Sequence, residues 1–438
     1  MKRHLISFLL ISLASAVTTE AAAQQFSISD KCYLPGIYSS NRCSVRYGWS
    51  SNTSNAKLCL WDGNNLSTCE GYTNHGGSFD WIDAQGKTLE FRRHAVWPTQ
   101  DPAWPNAAVV RRKGTLLYSK YVSGVTSAVP LGSCTATLSP GQSVKTAVLA
   151  ASVNAVICLN PGLYLDSGIE LKTGQVLRGT DTQNRPVIRN VSGRASRTIV
   201  MSQPGATVRD LIVEGQPRNR SQYGILVYAT SGSRIYNVDS NYAIIGIGVN
   251  AGTDIDIRES KVSYAGDGRA CSGCAQPSIW ITDSSNVRVV NVHMLNNGIG
   301  PEGDGELSCY NTPDLLVQGS SVTKSGAGGM YIVNCDRAIL AGNVISEAQE
   351  WGLDIVNTGY TSGSDYGLFL RNNISGSRHG GVVLKNTIHA AFRENTYTNN
   401  RVGPNASGRC NGVNKRGTTT GFSQFGDNAN RGSVSCND

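Results

Sequence analysis

The sequence has little of several things that would direct it elsewhere. Beyond its first residues it has no apolar run of about 18, so no membrane-spanning helix is expected in the mature chain, which should be soluble. No dense run of Lys or Arg occurs, which excludes a nucleic-acid patch. Of 12 Cys only Cys271-Ser272-Gly273-Cys274 has CxxC spacing, and no second pair or nearby His completes a zinc set. Leu does not recur at the fixed positions of a leucine-rich repeat, and no antiparallel blade of about 40 residues recurs as in a propeller. Helical patterning is scarce too. The one convincing stretch is Gly141 to Ala151, where Val144, Ala147, Val148 and Ala151 share a face behind Ser139-Pro140.

What is present begins with an export signal. Lys2 and Arg3 precede the apolar run Leu5 to Leu13, and Ala21-Ala22-Ala23 offers a small-residue cleavage site before Gln24. A signal peptide over residues 1–23 predicts a secreted protein, extracellular or periplasmic. All 12 Cys follow it, from Cys32 to Cys436, an even number suited to disulfides in an oxidising compartment. Cys59 and Cys69 flank a turn-like Asp62-Gly63-Asn64-Asn65, and Cys410 with Cys436 is a candidate staple for the tail. Without Lys2, Arg3 and Glu20 the formal charge falls from +8 to +7, a modest balance that suits an acidic substrate.

Composition divides the 438 residues. Residues 24–128 hold five of the seven Trp (Trp49, Trp61, Trp81, Trp97, Trp104), with alternating segments such as Lys57-Leu58-Cys59-Leu60-Trp61. Short alternating strands between Gly/Asn turns predict a small β-sandwich. It resembles the immunoglobulin-like or carbohydrate-binding modules attached to secreted enzymes, in which most Trp form the core and one or two stack on sugars. Residues 129–400 form the main domain, and 401–438 a disulfide-stapled C-terminal tail.

The main domain is read from a repeat. Glu306-Leu-Ser-Cys-Tyr-Asn311, Gly329-Met-Tyr-Ile-Val-Asn334, Gly352-Leu-Asp-Ile-Val-Asn357 and Gly381-Val-Val-Leu-Lys-Asn386 place their Asn 23, 23 and 29 residues apart. A second strand type lies between them, as in Asn286-Val-Arg-Val-Val and Asp336-Arg-Ala-Ile-Leu. Strands and turns repeating at this interval, with no helix, fit one coil of a parallel β-helix. The helix at 141–151 would cap its open end. The recurring Asn should stack as a ladder of side-chain amides.

On these repeats the chain resembles the pectin-lyase-like superfamily of right-handed parallel β-helices, over roughly residues 134 to 400. The fold class expected is therefore all-β: a right-handed parallel β-helix preceded by a small immunoglobulin-like sandwich. The resemblance implies a polysaccharide-active protein. It does not select a reaction, because lyases, hydrolases, epimerases and tail-spike binding proteins share the fold.

Alternation along the strands selects the outward residues. With Leu307, Met330, Leu353 and Val382 inward, one outer row is Trp280, Ser308, Tyr331, Asp354 and Val383. The next contains Tyr228, Asn250, Thr282, Tyr310, Val333, Val356 and Lys385, and Glu306 opens its strand on the same face. Trp280, Tyr310 and Tyr331 offer stacking platforms. Asp304, Glu306, Glu350 and Asp354 supply carboxylates, and Arg378, His379 and Lys385 supply cations or bases. Carboxylates at suitable spacing serve glycoside hydrolysis. A cation beside a uronate serves β-elimination, with a base removing the C5 proton. Plainer roles exist for each: solvated loop acids, a turn His379, a surface Lys385, and Tyr310 and Tyr331 packed only on each other.

Gly352-Leu353-Asp354-Ile355 is similar to the strand on which pectate lyases carry a calcium-binding Asp, so calcium is the one cofactor the resemblance offers. The Trp-Ile-Asp-His and Arg-x-Pro-x-x-Arg motifs of that family are absent, as is the Asp-Pro-His of alginate epimerases. Of the polygalacturonase motifs, Arg378-His379-Gly380-Gly381 and Lys385 echo the last two. The expectation is a secreted, monomeric enzyme cleaving an acidic polysaccharide, by β-elimination. The alternatives are a hydrolase using paired carboxylates on the same face and a non-catalytic polysaccharide-binding protein. Neither nucleic acid nor membrane is expected as a partner.

Overall fold

Each coil is built from three short strands separated by corners, and left-handed backbone turns the corners. In one coil these are Leu307–Tyr310, Leu316–Gln318 and Ser321–Thr323; in the next, Met330–Val333, Ile339–Ala341 and Val344–Ser346. Asn311 and Asn334 (φ 46 and 51), Gly319 and Gly342 (φ 58 and 62), and Lys324 and Glu347 (φ 57 each) occupy matching corners. Asn and Gly tolerate this conformation best, which is why the repeat is legible as recurring Asn and Gly. The computed structural model describes residues 133–437, apart from 193–195, 216–220, 266–276, 296–304, 359–366, 388–389, 401–409, 418, 420–421, 426 and 431–432. Before residue 133 it describes the backbone of nine strands between residues 25 and 125.

Stacked coils make two parallel sheets, one of 21 strands from two of the coil faces and one of 11 strands from the third. The 11-stranded sheet runs from Ile169–Leu171 to Ser433–Asn437, so both sheets continue past residue 400. The protein is the right-handed parallel β-helix expected. The earlier strands form a seven-stranded sheet and a two-stranded pair, in which Cys59 lies directly opposite Cys69. The signal segment, Trp81, Trp97 and Trp104 lie outside the described residues.

One apolar core fills the solenoid. Leu307, Met330, Leu353 and Val382 form one column and Cys309, Ile332, Ile355 and Leu384 another, all at most 1% exposed. Phe369 stacks on Phe392 with centroids 4.5 Å apart. The helix is Val144–Ala150; the Ser143 hydroxyl accepts from the Thr146 amide, and Val144 and Val148 are buried against the first coils. It covers apolar surface that a solenoid otherwise exposes at its end. Disulfides Cys134–Cys158 and Cys309–Cys335 tie neighbouring coils, and Cys436 is also disulfide-bonded.

The expected Asn ladder is partial. Asn334 donates to Asn311 (3.2 Å) and Asn311 to Asp283 (3.1 Å), whereas Asn386 donates to the main-chain carbonyl of Asn357 (3.4 Å). A second ladder, not anticipated, is buried. Asn343 donates to Asn372, Asn372 to Asn395 and Asn395 to Asp427, at 3.0, 2.9 and 3.1 Å. Inside the solenoid these amides satisfy corner backbone groups that water cannot reach.

Candidate functional site

The outer face of the 11-stranded sheet carries the candidate residues because register aligns them. Trp280, Ser308, Tyr331, Asp354, Val383 and Asn414 occupy one row, and Asn250, Thr282, Tyr310, Val333, Val356, Lys385 and Arg416 the neighbouring row. Successive coils are about 4.8 Å apart, so Asp354 and Trp280 are separated by about 14 Å along the axis. Tyr310 and Tyr331 meet edge to face at 5.8 Å. Trp280 is half-buried against an outer cluster of Tyr223, Leu226 and Ile245.

Asp354 is the chemically unusual group of this wall. Its Oδ1 is buried and makes no hydrogen bond. Burial pushes its carboxyl up from 3.8 to about 7; Lys385 opposes the shift, Glu350 adds to it and Arg416 opposes it. A carboxyl in this state gives or takes a proton near neutral pH with little driving-force penalty. Lys385 is exposed one coil further on. Arg378 is exposed and His379 half-buried in the turn entering that coil; their amides donate to the carbonyls of Ala348 (2.9 Å) and Glu350 (3.1 Å).

Charge alone does not mark a site. On the other sheet Asp256 is fully buried but partnered: Arg258 donates to it at 2.6 Å and the Tyr236 hydroxyl at 3.1 Å. Burial pushes its carboxyl up, but Arg258 and Arg288 more than reverse this and hold it below the ordinary range. Burial and the Asp256 charge push the Tyr236 hydroxyl up to about 12. Such a network is structural in character. Asp354 differs in having cations nearby without a hydrogen-bond donor on Oδ1.

Not every residue follows the alternation. Glu306 was expected on the outer wall; its side chain is 2% exposed and accepts a hydrogen bond from the Ser278 hydroxyl. Gly329, Gly352 and Gly381 hold the same place in later coils. A Cβ at Gly329 or Gly352 would stand 2.4 Å from the buried Ile345 or Ile374. The chain bends at this corner, so the two-residue alternation does not extend across it. Asp304 lies outside the described residues.

Two residues of the wall escaped sequence reading. Trp351 opens the strand of Asp354, packed against Gly380 and edge-on to His379 at 6.4 Å. Arg416 reaches back so that its guanidinium lies 5.2 Å from the Trp351 ring centroid. The Gly380-Gly381 doublet was the available signal for Trp351. Arg416 sits in Cys410–Arg416, whose sequence departs from the repeat, and gave none.

A family model described as "Periplasmic copper-binding protein (NosD)" matches residues 196–420. No curated protein matches the chain. Among solved structures the chain is similar to the Dettilon tailspike protein, at 11% identity and TM-score 0.49, covering 65% of this chain and 62% of that one. The chain thus spans less than two thirds of the tailspike's length. It is also similar to a polygalacturonase from Erwinia carotovora ssp. carotovora (11% identity, TM-score 0.45, 70% and 96% covered). An alginate lyase from Paenibacillus sp. str. FPU-7 gives 11% identity and TM-score 0.41, with 68% and 100% covered.

Proposed function

The chain belongs to the NosD family, and we propose that it is an exported enzyme cleaving an acidic polysaccharide by β-elimination on the wall around Asp354. The observation carrying this reading is the half-buried carboxyl of Asp354, whose Oδ1 makes no hydrogen bond and which feels the charges of Lys385 and Arg416 at the end of the row of Trp280 and Tyr331. Lys385 and Arg416 neutralise a uronate carboxylate, which acidifies the C5 proton. Ionised Asp354 takes that proton as the C5–H electrons form the C4=C5 bond and the C4–O4 bond breaks. The same proton then passes to O4 of the departing sugar, so atoms and charge balance and Asp354 returns ionised. The aromatic row supports the chain on the N-terminal side. Export is supported by the disulfides, Cys134–Cys158 and Cys309–Cys335 among them, and by the family's periplasmic description. No helix among the described residues is long and apolar enough to cross a membrane.

The family's description names copper, and the described residues do not fit it. Copper takes thiolate, thioether or imidazole donors. Met201, Met294 and Met330 lie in the solenoid core, and Cys134, Cys158, Cys309 and Cys335 are disulfide-bonded. His293 is on the other sheet, beside the Ser321 hydroxyl at 2.8 Å, apart from His379. Nor do Asp354 and Glu350, beside two cations, supply the oxygens that calcium needs. Among the described residues no three His, Cys, Asp or Glu converge as a metal site.

A hydrolytic reading draws on one observation: the Glu350 charge acts on Asp354, so an acid and a base stand near each other. Incubation with pectate, alginate, hyaluronate and neutral glucans separates the two. β-Elimination gives the ultraviolet absorbance of the new C4=C5 bond; reducing ends without that absorbance would replace it with hydrolysis. Retention on the polymer without products would leave a binding protein.

A further inference from the structure

Trp351 and Gly380 are register partners in adjacent coils. Gly380 has φ +148°, and a Cβ there would stand 2.3 Å from Trp351 Cζ3, so the six-membered ring of Trp351 rests where a side chain would be. His379 approaches the ring on edge. Arg416 belongs to the far end of the wall, beside Lys385 and one coil beyond it. To lie over Trp351 its side chain must run back along the strand direction, past the row of Asp354. Neighbouring Lys415 takes no part: it is in the inward row of Ile355 and Leu384, with Nζ 4.9 Å from the Phe422 ring centroid.

We propose that Arg416, held over the ring of Trp351 above Gly380, forms with Lys385 a fixed anion subsite that receives a substrate carboxylate beside Asp354. This rests on the reading of the wall as a site for acidic polysaccharide. A cation over a ring face can still turn N–H groups to a carboxylate, so one guanidinium serves both contacts. Fixing a long side chain before substrate arrives removes ordering entropy from binding, and it keeps the charge where the carboxylate must sit. Trp351 is thus a positioning residue acting through Arg416. Lys385 is an exposed, unstacked partner that contributes charge. Among the described residues the charges acting on Asp354 are those of Lys385, Glu350 and Arg416, and His379 stands at the edge of the Trp351 ring.

The test uses the full chain and trigalacturonate, trimannuronate and glucuronate as probes, each paired with its carboxyl-reduced neutral counterpart. At least one uronate is expected to bind roughly tenfold or more tightly than its counterpart, with that preference lost in Arg416→Ala and in Trp351→Leu. The double variant should be no worse than Arg416→Ala, and Trp351→Phe should restore part of the preference. A carboxyl 13C titration of Asp354 adds a readout independent of any ligand: its midpoint should move upward by a similar amount in Arg416→Ala and Trp351→Leu. Equal binding of acidic and neutral probes overturns the proposal. So does a Trp351→Leu protein that is folded and keeps both the preference and the midpoint. A protein that shows the preference yet forms no unsaturated product retains the subsite and loses the β-elimination.

Discussion

Asp354→Asn should abolish turnover, by about 10³-fold or more in kcat, and wild-type kcat/KM should rise with pH to half its maximum near pH 7. The rise follows from the role: only ionised Asp354 accepts the C5 proton. Used instead as the acid of a hydrolase, the same carboxyl makes the rate fall through that region, so the sign of the slope separates the two mechanisms. Stability gives a second, independent sign. The folded state raises Asp354 from 3.8 to about 7, so it favours the protonated form. That contribution is complete below the unfolded value and is lost as pH rises through about 7. The amide introduced by Asp354→Asn does not ionise. The variant should therefore gain stability over wild type between pH 4 and pH 8, by on the order of 2–4 kcal/mol. Thermal melts of both proteins at the two pH values measure it. A difference that shrinks towards pH 8 would contradict the buried, donor-poor environment of Oδ1.

Asn372→Ala should cost about 3–5 kcal/mol, read from denaturant midpoints, although Asn372 touches nothing on the outer wall. Its Oδ1 accepts from both the amide and Nδ2 of Asn343, each at 3.0 Å, and its Nδ2 donates to the Leu340 carbonyl at 2.8 Å and to Asn395 Oδ1 at 2.9 Å. All of this is sealed from water, so truncation strips the Asn343 main-chain N–H of its acceptor and leaves Asn343 Nδ2 with the Val317 carbonyl alone, at 3.0 Å. Asn334→Gly, in the exposed ladder, should cost less than about 1 kcal/mol, because water replaces the amide and Gly keeps the left-handed corner unstrained. Equal costs would mean that burial does not decide the difference.

Much of the wall was readable in advance because its logic is local. Leu353 and Ile355 face the core and Asp354 does not, since successive side chains of a strand take opposite sides. Glu306 shows where that logic stops: a corner reorients the chain, and the side chain turns into the protein. The buried amides of Asn343, Asn372 and Asn395 were hidden for a related reason. They sit between strands, at positions that alternation does not index, and their spacing resembles ordinary turn composition. Arg416 was hidden because its partner Trp351 lies two coils earlier and the contact depends on how far a side chain reaches.

By itself the sequence determined the coil, its interval of about 23 residues, and which side chains enter the core, because these follow from strand alternation and from corners that favour Asn and Gly. Only the tertiary structure decided which outward residues share one place, that Asp354 is deprived of hydrogen-bond donors on Oδ1, and that Arg416 is drawn onto Trp351. Desolvation and cross-coil contacts depend on what lies above and below each residue, and the linear order of the chain does not carry that information.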